Sequence, residues 1–218
     1  MTTAIMSVRK NGRTQAVAWR AASMFWAALF FCGPAVGTAM AGAPTEAMRS
    51  MVDEVLRILR DKELKQPEHS KERRRQLHKA VGQRFDFLEM SRRALGAQWV
   101  KLSDPEQQEF AGLFRSLLMN SYTEKVEAYS GEGVTYLHER IEKDFAEVRT
   151  KLLSGKTELP MDYRMINKGA DWQAYDVVID GVSLVSNYRG QFTKIIHTSS
   201  YADLVDQLRK KSDTIKSP

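Results

Sequence analysis

The stretch Leu159-Pro160-Met161-Asp162-Tyr163-Arg164-Met165-Ile166 alternates large apolar side chains with polar or constrained ones. A period of two places Leu159, Met161, Tyr163 and Met165 on one face, the mark of a half-buried antiparallel strand. Working outward, Val134–Glu142, Ala146–Leu153 and Trp172–Ile179 also read as strands. Ser154-Gly155-Lys156-Thr157 and Asn167-Lys168-Gly169-Ala170-Asp171 are turns between them, and Asp180-Gly181 is expected to end the sheet. The second half of the chain is therefore expected to hold four strands of an antiparallel sheet.

Upstream the apolar spacing changes to three and four. Met48, Met51, Val52, Val55, Ile58 and Leu59 mark a helix that Thr45 is placed to cap, with Pro67 beyond its end. A charged helix follows from about Ser70, and a third starts at Asp86, where Asp86-x-x-Glu89 has the capping-box pattern, and closes at Gly96. The fourth is the clearest. Ser103-Asp104-Pro105-Glu106 joins a capping box to a first-turn proline, and Phe110, Leu113, Phe114, Leu117, Leu118, Tyr122, Val126 and Tyr129 then form one apolar stripe, stopped by Gly131 and Gly133. After the strands, Leu184, Val185, Tyr188, Phe192, Ile195 and Ile196 give a helical return, and a last helix runs from Ser200. No repeat or low-complexity linker divides these elements. The fold class is α+β, a single domain.

The N-terminus belongs to a different class of segment. Arg9, Lys10, Arg13 and Arg20 precede an uncharged, mostly apolar run from Ala21 to Cys32, and small residues lead to Ala39-Met40-Ala41. A basic start, a short apolar stretch and an A-x-A end are the parts of a secretory signal peptide. Residues 1–41 are read as a cleaved signal peptide and 42–218 as the working domain of an exported protein. The full chain carries 33 Lys+Arg against 27 Asp+Glu, a formal charge of +6. Four of those basic residues and no acid lie in 1–41, so the mature chain is only about +2. That removes the main argument for a nucleic-acid partner. The one cysteine, Cys32, leaves with the leader, and the domain must be held by its core alone.

Chemistry-bearing patterns are sparse. His69, His78, His138 and His197 have no metal-ligand spacing, and no nucleophile elbow, phosphate loop or dinucleotide fingerprint occurs. No catalytic residue, metal or cofactor is expected. Arg73–Arg75 reads as a wet helix face or as a contact for anionic lipid headgroups or an acidic partner.

Three segments resemble the MlaC (toluene-tolerance auxiliary) family of periplasmic phospholipid carriers. They are Phe85–Trp99, Leu102–Phe110 continuing to Tyr122, and Trp172–Ser183 running into Asn187–Phe192. The family often has a glycine where this chain has Ser200. The resemblance implies N-terminal helices wrapped on a four-stranded twisted antiparallel sheet, with an apolar cavity between them that takes acyl tails. It also implies, as partners, phospholipid, an inner-membrane ABC transporter complex and an outer-membrane lipoprotein complex. Physically, a tail of about 15 methylenes resists exposure to water by roughly 12 kcal/mol, so a carrier has to offer a dry pocket, with few polar contacts needed. On that implication, the candidate pocket wall is Phe110, Phe114, Leu117, Leu118 and Tyr122 of the long helix, facing Val148, Leu152, Tyr163, Met165, Val177, Val185 and Phe192, with Tyr188 and Arg189 at the mouth. Each of these side chains is equally at home in plain core packing. The alternatives are a carrier of hopanoid or another bacterial lipid, a periplasmic adaptor with a filled core, and an enzyme using Asp162, Asp176 or Tyr188 as acid–base groups.

Overall fold

Prolines and short polar side chains decide where the helices begin. In the computed structural model, which describes residues 42–129, 133–169 and 171–214, α1 (Ala43–Arg60) carries Pro44 in its first turn, where proline has no amide hydrogen to leave unpaired. The expected leader, residues 1–41, and the helix stop at Gly131 lie outside the described residues. Thr45 does not cap α1. It sits buried inside the first turn after the N-cap residue Gly42, and its N–H donates to the carboxylate of Glu139 at 2.7 Å. An acid from a distant strand thus does the work expected of a local hydroxyl.

A short turn of 3-10 helix (Pro67–His69) leads into α2 (Ser70–Arg84), and α3 (Phe87–Leu95) follows. Asp86 caps α3, its Oδ1 accepting the Glu89 N–H at 2.9 Å. The reciprocal half of that capping box is missing, because the Asp86 N–H donates to the Ala174 carbonyl at 2.9 Å. Glu89 is thereby left for other partners. Gly96, at φ +56°, ends α3 with a backbone conformation that a side chain disfavours. In α4 (Asp104–Glu127) the Glu106 carboxylate accepts both the Ser103 N–H at 2.8 Å and its hydroxyl at 2.6 Å.

The sheet is an antiparallel meander in the order β1 (Gly133–Glu142), β2 (Phe145–Ser154), β3 (Thr157–Asn167), β4 (Trp172–Ile179) and β5 (Val182–Ser183). It has five strands among the described residues, not the expected four. Asp180 at φ +48° and Gly181 at φ +79° form a two-residue hairpin turn, so Asp-Gly extends the sheet by one short strand. The chain then enters α5 (Leu184–Thr198), longer than the return expected, and α6 (Tyr201–Thr214). The Ser200 hydroxyl accepts the Asp203 N–H at 3.0 Å. A hydroxyl cap therefore starts α6.

Register sorts the two faces of the sheet. Val148, Tyr163 and Val177 stand opposite one another, as do Ala146, Met165 and Ala174. Against this apolar face α1 lays Met48, Met51, Val52 and Leu56, forming one core cluster. A second cluster lies among α3, α4, α5 and α6, centred on Phe110, Phe114 and Phe192. Phe85, on the link between α2 and α3, packs against both. Arg209 of α6 pairs with Glu109 of α4 at 2.5 Å. The Arg73–Arg75 run is engaged within the molecule: Arg73 donates to the Glu127 carbonyl, Arg74 pairs with the Glu127 carboxylate, and Arg75 with Glu72.

Candidate functional site

The middle of β4 departs from regular pairing. Arg164 stands opposite Asp176 and Met165 opposite Ala174, so Tyr175 is an extra residue bulged out of the ladder. A bulge re-aims the side chain it carries. Here the Tyr175 ring stacks beneath the Arg93 guanidinium, 3.8 Å from its centroid, and meets the Phe145 ring edge-on.

Beside this bulge, α3 and the start of α5 border a half-open cavity of about 530 Å³. Arg92 and Arg93 reach it from α3, Arg164 from β3 and Arg189 from α5, around an aromatic floor of Trp99 and Tyr175. The carboxylates present are largely spoken for. Glu89, buried, accepts from Arg92 Nε and Nη2 at 2.7 and 2.6 Å and from Arg93 Nε at 2.7 Å. Asp176, also buried, accepts from Arg164 at 3.1 Å, the Ser183 hydroxyl at 2.6 Å and the Val185 N–H at 3.0 Å. Arg189 has neither a hydrogen bond nor an ion pair among the described residues. Its guanidinium lies along Gly96, where an added Cβ would come within 3.1 Å of Nη2.

Burial opposes ionisation of Glu89, but the hydrogen bonds from Arg92 and Arg93 outweigh it and hold its pKa below the ordinary value. A carboxylate whose pKa is depressed by folding stabilises the protein fully above the unfolded value, about pH 4.3, and loses that contribution as pH falls toward the folded value. Glu89→Gln is accordingly expected to flatten the loss of stability below about pH 4.3. Urea unfolding of both proteins across that range checks it, and parallel curves would remove Glu89 from the acid response.

The sequence candidates divide between the two core clusters. Phe110, Phe114, Leu117, Leu118, Val185 and Phe192 are buried in the helical cluster, with Tyr122 and Tyr188 partly buried against it. Val148, Tyr163, Met165 and Val177 are buried in the cluster between α1 and the sheet. Leu152 is half-buried opposite Leu159. In the helical cluster Phe110 and Phe114 are completely buried, and the Phe114 ring meets those of Tyr188 and Phe192 edge-on at 5.2 and 5.3 Å; in the α1–sheet cluster Met48, Val148 and Met165 are completely buried. Val185 also lines the arginine cavity, as does Arg189. Burial drives the Tyr163 phenol well above the ordinary range and the Tyr136 phenol to about 12, so both stay neutral. As for acid–base groups, both Asp176 oxygens are occupied and the Tyr188 ring is packed between aromatics. His78 bonds the Thr123 hydroxyl at 2.9 Å. Among the described residues no group of three or more His, Cys, Asp and Glu side chains is placed to hold a metal, and no helix is long and apolar enough to cross a membrane.

The profile of the MlaC protein family matches residues 49–210, which takes in the helical cluster, the arginine cavity and all of the buried α1–sheet cluster but Met48. The chain belongs to the MlaC family. It is 20% identical over 126 residues to the intermembrane phospholipid transport system binding protein MlaC of Haemophilus influenzae, covering 55% of this chain and 59% of that protein. It is 24% identical over 119 residues to the toluene tolerance protein ttg2D of Pseudomonas putida, covering 53% and 55%. The chain thus spans a little over half the length of these curated relatives. A solved structure of a phospholipid-binding protein from Ralstonia solanacearum, in complex with a phospholipid, superposes with a TM-score of 0.71 at 25% identity. That match covers 81% of this chain and all of the other.

Within this MlaC-family chain, sequence reasoning passed over Arg92, Arg93, Arg164, Trp99 and Tyr175. Arg92-Arg93 stands inside the quoted Phe85–Trp99 segment, and a pair of arginines one turn before a helix-ending glycine was the available signal. Nothing local could place Arg164 and Tyr175 beside them, since the β4 bulge and the α3–α5 packing do that.

Proposed function

We propose that this chain is a periplasmic phospholipid carrier that shelters acyl tails in its apolar interior and passes them between an outer-membrane lipoprotein complex and an inner-membrane ABC transporter, without catalysing a reaction. The observation that carries this reading is the family match over residues 49–210, reinforced by a lipid-bound relative whose entire length shares the fold. The leader-like segment at 1–41 supports export. Tails would lie among the thirteen candidate side chains from Phe110 to Phe192, between the helical cluster and the α1–sheet cluster that Phe85 joins. Since those side chains pack closely, loading would part the clusters, exchanging protein–protein apolar contact for protein–tail contact. Such an exchange has a small net free energy, which suits reversible transfer.

The test is direct. Mature protein is purified from its native host, extracted with organic solvent, and the extract analysed by mass spectrometry. Stoichiometric phospholipid is expected; a hopanoid in its place would change the cargo, and no lipid in any preparation would leave a filled adaptor domain. Leu117→Trp adds bulk to α4 at a buried position and is expected to lower lipid occupancy about twofold or more with the fold retained by circular dichroism. Unchanged occupancy would take Leu117 out of the wall.

A further inference from the structure

We propose that the cavity ringed by Arg92, Arg93, Arg164 and Arg189 is an oxyanion site that takes a phosphate group, with the phosphodiester of a bound phospholipid as its source. The lipid source rests on the carrier reading; the oxyanion chemistry does not. Four guanidinium groups converge on one cavity of about 530 Å³, inside the size range of small-ligand pockets. Two carboxylates, Glu89 and Asp176, offset them, so the local balance is two positive charges.

The carboxylates also explain why the arginines are held ready. Glu89 fixes Arg92 through a two-point contact and Arg93 through Nε, which leaves the remaining Arg93 donors free of Glu89. Tyr175 orients the Arg93 plane from below. Asp176 takes a single Nη1 contact from Arg164. Arg189 has no anionic partner among the described residues, and Gly96 gives it room to lie flat. A planar guanidinium presents its N–H groups in a fork that matches phosphate oxygens, and prior fixing lowers the entropy lost on binding. The backbone at the start of α5 adds nothing, since the Val185 and Ser186 N–H groups already donate to Asp176 and the Ser183 hydroxyl. Specificity therefore falls on the arginines. The consequence is that the carrier reads a phosphate headgroup as well as an apolar tail.

Arg189 is the residue to change, because its loss strands no buried acid. The mature protein is incubated with phosphatidylethanolamine vesicles carrying either a fluorescent-tailed phosphatidylglycerol or a diacylglycerol with the same tails, and uptake is compared for wild type, Arg189→Gln and Arg189→Lys. Separately, inorganic phosphate is titrated into each by calorimetry. Wild type should prefer the phospholipid over the diacylglycerol by about tenfold, the effect of one or two charge-assisted hydrogen bonds. Arg189→Gln should erase most of that preference while diacylglycerol uptake persists, and Arg189→Lys should keep part of it. If neither lipid is taken up but inorganic phosphate binds wild type and not Arg189→Gln, the oxyanion site stands with free phosphate as its source, and the carrier reading fails alone. If lipid uptake is intact, the preference does not respond to Arg189, and phosphate does not bind, the oxyanion site is overturned and the carrier reading survives. Failure of both lipid and phosphate binding overturns the site as well.

Discussion

Phe114→Ala should lower the unfolding free energy of the mature protein by about 3–5 kcal/mol. The ring is completely buried, and it meets Phe110 at 6.1 Å, Tyr188 at 5.2 Å and Phe192 at 5.3 Å, the last two edge-on. Its removal loses the transfer free energy of the ring, the edge-to-face contacts of about 0.5–1.5 kcal/mol each, and whatever cavity the surroundings fail to close. Those surroundings are fixed from three sides: Phe110 shares α4, while Tyr188 and Phe192 belong to α5, whose start is anchored to the sheet through Asp176. Collapse around the missing ring would have to move a whole helix. For a domain of this size the loss corresponds to roughly 6–20 °C in melting temperature. Leu88→Ala, at a side chain 40% exposed, is the control and should cost far less. The measurement is urea unfolding of lipid-free protein, repeated with phospholipid present. Because a ligand that binds only the folded state stabilises it by mass action, lipid should recover part of the deficit if its tail reaches this region. A cost below about 1 kcal/mol in lipid-free protein would show that the site collapses freely, and Phe114 would then be no anchor of the helical cluster.

Asp176→Ala is the second large effect, at about 2–4 kcal/mol. Asp176 is 3% exposed and accepts three hydrogen bonds, from Arg164, the Ser183 hydroxyl and the Val185 N–H. The change strands the Val185 amide at the start of α5, releases Ser183 and leaves Arg164 without its acid. Arg164 is 41% exposed and can rehydrate, which keeps the cost below that of a fully buried pair. Asp176→Asn retains an acceptor for Val185 and should cost about half as much. Limited proteolysis gives the spatial signature: cleavage around Val182–Ser186 should quicken in Asp176→Ala before the sheet is attacked. Equal stability of Asp176→Ala and wild type would mean that the carboxylate is not the tie between sheet and α5, and would reopen the acid–base reading of this residue.

These two residues show how differently sequence speaks about core and site. Phe114 was legible as part of the α4 stripe, because a helix repeats every three or four residues and burial follows the stripe. Asp176 stands out in the sequence only as one of three acid–base alternatives, beside Asp162 and Tyr188. Its carboxylate is taken up by Ser183 and Val185, which the Asp180-Gly181 hairpin brings back beside β4, and a two-residue hairpin is a local signal easily read as a stop. Thr45 failed as a cap for the opposite reason: Pro44 already sets the start of α1, and Glu139 supplies the acceptor from 94 residues away. The half-formed capping box at Asp86 has the same origin, since its amide is claimed by Ala174 and Glu89 is released to bind arginines.

By itself the sequence determined the order of elements, four helices before an antiparallel sheet and two after it, because period and capping are properties of neighbours along the chain. It also determined which strand faces are apolar, through the alternation at Leu159–Met165, and the family, through segments whose residues stand in the right order. Tertiary structure decided the rest. It divided twelve of the thirteen candidates between two clusters and left Leu152 half-buried outside both, since the partner of a buried face depends on which layer packs there. It also gathered Arg92, Arg93, Arg164 and Arg189 from two helices and a strand around one cavity, with Tyr175 turned toward them by a single-residue bulge. Charges this far apart in sequence have no local pattern to announce them, and only the packing of α3 and α5 beside β4 brings them to one place.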